Sequence, residues 1–337
     1  MKRIVLLLFI ALTLCGCAQR VELAFMAVCL GVDVDADGVT LTVKCPDYAG
    51  DRKEQNAGYT TLSATGEDWP RAVAALYAAC PVTPQFSQLR EIVIGEAGFA
   101  FTPPERLLDL IDQLPGVRVH ALLTVSPGPA AAMVERLQPE IGKRLSKYLD
   151  ISLRHYEQQG AIPATSLSCA LRDLGSPWRD PVLAFTDGEN YAGAYALGPE
   201  GALRLTPEET QLYRLIRGES QALLLERGGR YFGAANRGRV KRKIEDDTLI
   251  LELPVYITYG LADPPPDDGA GETLSGKARA LIARLRDAGC DALGFGCEAA
   301  REFSTLDAWL QSDWRERYKR MNVRVEVDAR PRAQPVL

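Results

Sequence analysis

The stretch 14–17, LCGC, holds the residues whose types and spacing point most directly to chemistry. It follows two basic residues, Lys2 and Arg3, and an apolar run over 4–14. A positive start, an apolar middle and small residues before a cut site are the layout of a secretory signal. The apolar run is about half of the roughly 20 residues that a membrane-spanning helix needs. The pattern therefore predicts export.

The residues before Cys17 resemble the bacterial lipobox, with Leu14 three positions ahead and Gly16 immediately ahead. The resemblance implies a diacylglycerol on the Cys17 thiol, cleavage between Gly16 and Cys17, and acylation of the new amino terminus. Cys15 stands where Ala, Ser or Thr is commoner. A plain signal peptide and an uncleaved anchor are the alternatives. Each buried methylene contributes about 0.8 kcal/mol, so two or three acyl chains would hold a folded body at a membrane.

Composition indicates an exported, folded body. The chain has 337 residues, 47% hydrophobic and 25% charged, which is ordinary globular composition and enough for two or three domains. The leader carries two of the 39 basic residues and none of the 44 acidic ones, so the mature net charge is about −7. An acidic balance argues against nucleic acid as a partner and against polybasic docking onto anionic lipid. Attachment to the membrane would rest on the lipid.

Cysteine and histidine content gives little reason to expect a metal or a cofactor. Outside the leader and Cys17 the chain has six cysteines and no C-x-x-C pair, and it has only two histidines. A hairpin around Asp37–Gly38 could set Cys29 opposite Cys45. One interpretation is therefore a cross-strand disulfide between them. The other, which we favour, is that both are buried free thiols. We expect no metal site, and no cofactor apart from the lipid on Cys17.

No catalytic constellation is evident. Neither G-x-S-x-G nor S-x-x-K occurs. His120 lies in a predicted strand and His155 in a predicted polar helix, where each is expected to make ordinary hydrogen bonds. Gly294 and Gly296 lack the wider context of a phosphate-binding loop and predict a turn. We expect no catalytic residue, and the residues favour binding over chemistry.

Strand and helix patterns alternate at short spacing along the chain. The first half predicts a hairpin, a helix with Trp69 and Leu76 on its buried face, a strand at Glu91–Gly95, a helix after Pro103, a strand over 117–125 and a helix ending at Gly160. The second half predicts a strand pair around 186–190, a helix with a Thr206–Glu209 capping box, three or four strands, a solvent loop over 262–272, a helix over 276–288, a turn at 291–296, a helix capped near Ser304 or Thr305, and a closing strand over 322–330. Trp309, Trp314 and Tyr318 follow helical spacing and are expected in the core.

These elements predict an α+β fold. The expected body is a mixed α/β chain of two or three consecutive domains, with mostly antiparallel or mixed sheets flanked by helices, after a cleaved lipoprotein signal peptide. The predicted divisions are a signal peptide at 1–16, an N-terminal region at 17–198 and a C-terminal domain at 199–337. If the N-terminal region contains two subdomains, they divide near residue 139.

Several stretches in this order resemble the Ger(x)C family of spore germination lipoproteins. They are CAQRVEL with the following strand ending in LGVD, then LREIVIGEAGFA, GAYALGPEGALRLTPEET, and DALGFG with DAWLQSDWRERYKRMNVRVEV. They run from Cys17 to about Val327, nearly the whole mature chain. Ala18-Gln19 stands where members commonly have Trp-Asp, and the chain ends in RPRAQPVL where members often have a glycine.

The resemblance implies a non-enzymatic subunit of a nutrient germinant receptor. It implies a three-part mixed α/β body on the outer face of the spore inner membrane, held by lipid on Cys17. Its implied partners are the integral membrane A-type and B-type receptor subunits. Two other classes stay open: a lipid-anchored solute-binding protein of a transporter, and, less favoured, an envelope hydrolase.

Overall fold

Two large β-sheets organise the described part of the chain. The computed structural model describes residues 25–46, 58–139, 144–199, 201–219, 223–261, 263–267 and 269–334. The first ten strands are β1 (Phe25–Met26), β2 (Cys29–Asp35), β3 (Gly38–Pro46), β4 (Tyr59–Gly66), β5 (Pro84–Gln85), β6 (Glu91–Gly95), β7 (Leu122–Ser126), β8 (Val182–Thr186), β9 (Tyr191–Gly198) and β10 (Gly201–Leu205). Strands β1 and β5 form a small parallel pair, and the other eight form one sheet in the order β10-β9-β8-β7-β6-β2-β3-β4.

Helices cover both faces of the eight-stranded sheet. They are α1 (Trp69–Ala79), α2 (Pro104–Asp112), α3 (Ala130–Arg136), α4 (Leu145–Gln158) and α5 (Leu167–Leu174). Apolar residues of α1, α2 and α5 join the core on one face, and those of α3 and α4 join the core on the other. The central strands β2, β6, β7 and β8 are parallel, and antiparallel strands flank them on both sides. A sheet buried on both faces explains the continuous apolar strand Glu91–Gly95.

The hairpin predicted around Asp37–Gly38 is confirmed, and its register separates the two cysteines. Asp35 pairs with Gly38, whose φ of 134° is open to glycine. Cys29 pairs with Lys44, which places Cys45 one position further along β3. Successive side chains alternate between faces, and Cys29 and Cys45 accordingly lie in the cores on opposite faces of the sheet. Both are free thiols, so the favoured reading holds.

The strand predicted over 117–125 is wrong in its first half. β7 begins only at Leu122, and residues 117–120 form the turn that leads from α2 back to the sheet. The backbone N–H of Arg118 donates to the carbonyl of Phe86, outside the sheet ladder, and Ala121 closes the turn onto Arg118. The alternation of apolar and polar residues is satisfied here by a turn in which Arg118 is half-buried and His120 is exposed. His120 is therefore in an exposed turn and not in a strand.

A second sheet of five strands follows. Its strands are β11 (Leu223–Arg227), β12 (Arg230–Asn236), β13 (Lys241–Glu245), β14 (Thr248–Gly260) and β15 (Asn322–Gln334), with helices α6 (Pro207–Arg217), α7 (Gly269–Asp287), α8 (Gly296–Ala299), α9 (Leu306–Leu310) and α10 (Trp314–Arg320). β14 pairs with β12 and β13 on one side and with β15, in parallel, along its whole length on the other. Helix α6 contacts β9 of the first sheet and β11 of the second. Its predicted capping box between Thr206 and Glu209 is confirmed.

Two predicted helices differ in extent. α7 begins at Gly269, inside the stretch 262–272 predicted as a solvent loop, because Arg227 of β11 donates to the Gly269 carbonyl and fixes the first turn there. The single helix predicted after Thr305 is two, α9 and α10, because Asp313 adopts a left-handed backbone with φ of 48°. At Gly269 a tertiary contact overrides the local signal for a loop.

The α+β prediction is confirmed as a mixed fold of sheets flanked by helices. The predicted limit between residues 198 and 199 falls in the turn between β9 and β10, and the division into domains stays a prediction. Within the described ranges, no helix has the length and apolar character that crossing a membrane requires.

Candidate functional site

The predicted lipidation and cleavage residues, Cys17 and Gly16, lie outside the described residues. Their modification stays a prediction. The first described residue is Phe25, in β1, and it pairs with Pro84 of β5. The candidate site is therefore built from the folded part, where two buried polar clusters stand out.

The first cluster is built on the turn 291–296, DALGFG. The Asp291 carboxylate, 2% exposed, accepts hydrogen bonds from the backbone N–H groups of Phe295 (2.9 Å) and Gly296 (2.6 Å) and from the Trp314 indole (3.3 Å). Gly294 has a φ of 75°, which favours glycine. A Cβ on Gly296 would lie 2.7 Å from the Trp178 carbonyl. The structure of the turn thus explains why it contains an aspartate at position 291 and glycines at positions 294 and 296.

Asp180 connects this turn to the first sheet. It stands two residues before β8, and its carboxylate accepts two hydrogen bonds from the Arg315 guanidinium, at 2.8 and 2.9 Å, and one from the backbone N–H of Asp291 at 2.6 Å. Such two-pronged pairs between arginine and carboxylate are strong and geometrically specific. We call Asp180, Asp291, Trp314 and Arg315 the junction cluster. It fixes α10 and the 291–296 turn against the chain that leads into the first sheet.

Burial sets the electrostatics of the junction cluster. Removal from water raises the pKa of Asp291 to about 6, and the charge of Asp180 adds to the rise while the N–H groups of Gly296 and Phe295 oppose it. The hydrogen bond to Asp180 raises the pKa of Arg315. The surrounding donors thus favour the ionised form of Asp291.

The predicted aromatic core is confirmed beside this cluster. Trp309, Trp314 and Tyr318 are all buried, with successive ring centroids 5.7 and 5.6 Å apart. The Tyr318 hydroxyl donates to the Cys290 carbonyl at 3.3 Å. Both pairs are tilted, with interplanar angles of 34° and 40°, and ring pairs at such distances contribute packing area and orientation. The Trp314 indole therefore serves both the core and the junction cluster.

The second cluster lies inside the eight-stranded sheet around Glu91, and no sequence pattern predicted it. Glu91 is fully buried and accepts hydrogen bonds from the Thr124 hydroxyl (2.7 Å) and the Tyr191 hydroxyl (2.8 Å). Lys44, on β3, donates to the carbonyls of Val134 (3.1 Å) and Glu135 (2.7 Å). Those carbonyls belong to the last turn of α3, where a cation is favoured. A glutamate at the start of an apolar strand was the one available signal.

Burial raises the pKa of Glu91 from its ordinary 4.5 to about 7, and the two hydroxyl donors oppose the rise. The folded chain therefore keeps a proton on Glu91 that the unfolded chain releases above about pH 4.5. The contribution of Glu91 to the unfolding free energy is therefore largest below that pH and declines as pH rises to about 7. Glu91→Gln, which is neutral throughout, should remove Glu91's part of the decline, on the order of 3 kcal/mol by pH 7. Urea unfolding at pH 4.5, 5.5, 6.5 and 7.5, values chosen to span about this range, would measure it.

The control for that experiment is Glu105→Gln, at an exposed position on α2. It removes the same charge without touching a buried group, so the decline with pH should persist. If Glu91→Gln and the unchanged chain lost stability in parallel across this range, Glu91 would not hold the proton.

The remaining candidates are dispersed. His155 is exposed on α4 and His120 is exposed in its turn, so the structure does not bring them together with a nucleophile. In the described ranges, no three His, Cys, Asp or Glu side chains are grouped so as to hold a metal ion.

Comparison with known families gives the class of the protein. The family model described as "Spore germination protein N-terminal domain" matches residues 18–187, half of the chain. The model described as "Spore germination B3/ GerAC like, C-terminal" matches residues 268–332, which include the 291–296 turn. A solved structure described as "Crystal Structure of the GerBC protein" is 14% identical, with a TM-score of 0.50, over 90% of this chain and 96% of that one. At that identity the likeness shows the fold. No curated protein matches the sequence.

The fold and the paired matches define a spore germination protein with both an N-terminal and a C-terminal domain of that class. The chain belongs to the Ger(x)C family, as its quoted motifs predicted, and is a component of a germinant receptor.

Proposed function

We propose that the chain is the lipid-anchored, non-enzymatic C-type subunit of a nutrient germinant receptor, acting at the outer face of the spore inner membrane. The observation that carries the proposal is the match to both family models, in order, in a chain whose start carries a lipobox. Its partners are the integral membrane A-type and B-type subunits. Its one attached group is the lipid on Cys17, and it needs no other cofactor.

The buried carboxyl groups support a binding role. Both oxygens of Glu91, Asp180 and Asp291 accept hydrogen bonds from protein donors. Carboxyl groups satisfied in this way, away from a cleft, stabilise and orient the fold. The junction cluster connects the chain before β8 of the first sheet to the 291–296 turn and α10. Such a connection suits a subunit that binds other subunits through its folded body.

Lipidation would allow the chain to associate with its partner subunits even if the protein–protein affinity between them is moderate. A lipid on Cys17 confines the chain to a thin layer beside integral membrane subunits, and confinement raises the effective concentration of each for the other. A moderate protein interface is then sufficient for assembly.

Affinity purification of the tagged chain from the inner membrane of dormant spores tests the proposal. We expect two integral membrane proteins to be recovered with it, one of many helices and one with large soluble ends. Recovery of a transport ATPase and its permease instead would identify a solute-binding protein and overturn the proposal. A tagged, unrelated spore lipoprotein is the matched control for detergent carry-over.

A further inference from the structure

A cleft of about 290 Å³ lies at the end of the eight-stranded sheet where β6 and β7 begin. Its wall comes from the residue before β6, the turn 117–120, helix α4 and the chain before α5. The side chains that matter for its chemistry are Arg90, Arg118, Arg154, His120, Asp150 and Glu157. A volume of this size suits a small solute or a headgroup and is too small for a protein segment.

Positive charge is in excess in the cleft. Asp150 is shared, with its Oδ1 3.7 Å from Arg90 and 3.3 Å from Arg154. Arg118 makes no side-chain hydrogen bond or ion pair within the described residues. Glu157 also lines the polar furrow next to the cleft, where its charge acts on Arg214. Of the three guanidinium groups, that of Arg118 therefore has no carboxylate at ion-pair distance among the described residues.

Two further observations indicate that the arginine side chains of the cleft lack a hydrogen-bond acceptor and a compensating negative charge. The Nε of Arg90 is buried and has no hydrogen-bond partner among the described residues, and a buried donor left unpaired is costly. Burial lowers the pKa of Arg118, and the charges of Arg90 and Arg154 lower it further while Asp150 opposes them. Three guanidinium groups that repel one another around a shared cleft would be relieved by an anion between them.

The cleft lies at the edge where the chain enters the fold. The backbone N–H of Arg90 donates to the carbonyl of Val28, three residues after Phe25, at 2.8 Å. The backbone N–H of Arg118 donates to the carbonyl of Phe86, which directly follows β5, and β5 pairs with β1. Phe25 is eight residues from Cys17, a distance that extended chain spans with at most about 29 Å. If Cys17 is lipidated, as proposed above, this edge is held close to the membrane surface.

We propose that this cleft is a binding site for a phosphate oxyanion. The planar guanidinium donors of Arg90, Arg118 and Arg154 match phosphate oxygens, and arginine is the residue best suited to that geometry. Free phosphate and the phosphodiester of a lipid headgroup share this chemistry. The position beside the tether makes a headgroup a reachable source.

The test is calorimetric titration of the full chain in neutral detergent at fixed ionic strength, with two soluble probes. Inorganic phosphate represents the free ion, and glycerophosphoglycerol represents a headgroup without acyl chains. We expect at least one probe to bind, and Arg118→Gln to weaken it about tenfold or more, equivalent to about 1.4 kcal/mol. Tighter binding of inorganic phosphate would assign the free ion, and equal or tighter binding of glycerophosphoglycerol would assign the headgroup.

The matched control is Arg106→Gln, which removes the same charge from an exposed position on α2 outside the cleft and should leave binding unchanged. Arg154→Gln is the second variant, because its side chain is 69% exposed and its loss should not disturb folding. Unchanged binding in both cleft variants, or no binding of either probe to the unaltered chain, would overturn the site. Because binding is measured in solution, failure here leaves the receptor role untouched, and failure of the receptor role leaves the site testable.

Discussion

Replacement of Cys17 by alanine is expected to release the chain from the spore membrane. The predicted mature charge of about −7 gives no attraction to anionic lipid. Under the proposed lipidation of Cys17, attachment rests on the acyl chains, at about 0.8 kcal/mol for each buried methylene. Without them the membrane-bound fraction should fall to background, and the germination response to nutrient should fall with it. Immunoblots of membrane and soluble spore fractions measure the first effect, and loss of optical density after nutrient addition measures the second.

Cys15→Ala is the matched control for this experiment. It removes a thiol two positions away and places at that position a residue that is common in lipoboxes, so anchoring and germination should be retained. A soluble Cys17→Ala chain in spores that germinate fully would contradict the proposal that anchoring matters. A Cys17→Ala chain still bound to the membrane would contradict the lipid as the anchor.

The second large effect is expected from Asp291→Ala. The substitution leaves the N–H groups of Phe295 and Gly296 and the Trp314 indole buried without their acceptor. Each unsatisfied buried donor costs about 1–3 kcal/mol, so we expect a loss of at least about 3 kcal/mol of unfolding free energy. Urea unfolding followed by tryptophan fluorescence measures it, because Trp309 and Trp314 lie beside the site.

Asp287→Ala is the control for that loss. Asp287 lies at the end of α7, is 65% exposed and pairs with Arg286 at the surface. Surface pairs of this kind contribute little, so its removal should change stability by less than about 0.5 kcal/mol. Equal effects of the two substitutions would show that the Asp291 carboxylate does not hold the turn.

Local sequence patterns predicted the elements that local chemistry decides. The glycine turn at Gly38, the capping box of Thr206 with Glu209, and the helical spacing of the C-terminal aromatics all depend on residues close in sequence. The family motif DALGFG also belongs here, since its turn is closed largely by its own aspartate. The strand predicted over 117–125 was wrong over 117–120, because alternation alone does not distinguish a strand from a turn.

Contacts between residues that are distant in the chain could not be predicted from the sequence. Asp180 and Arg315 are 135 positions apart, and neither has a neighbouring residue that signals the pair. Glu91 became a buried, hydrogen-bonded group only once β7 and β9 brought Thr124 and Tyr191 beside it. The cleft lined by Arg90, Arg118 and Arg154 likewise joins four stretches of chain that only the sheet topology brings together. In each case the register and order of strands decide the neighbours, and these depend on the whole fold.

As a component of a nutrient germinant receptor, this chain should be required for the response of spores to nutrient. Spores with and without it are compared in their response to each nutrient that triggers the parent strain. We expect deletion to remove or strongly slow the response to at least one nutrient, and the unaltered gene to restore it. Unchanged responses to every nutrient, in spores shown to lack the protein, would contradict this requirement.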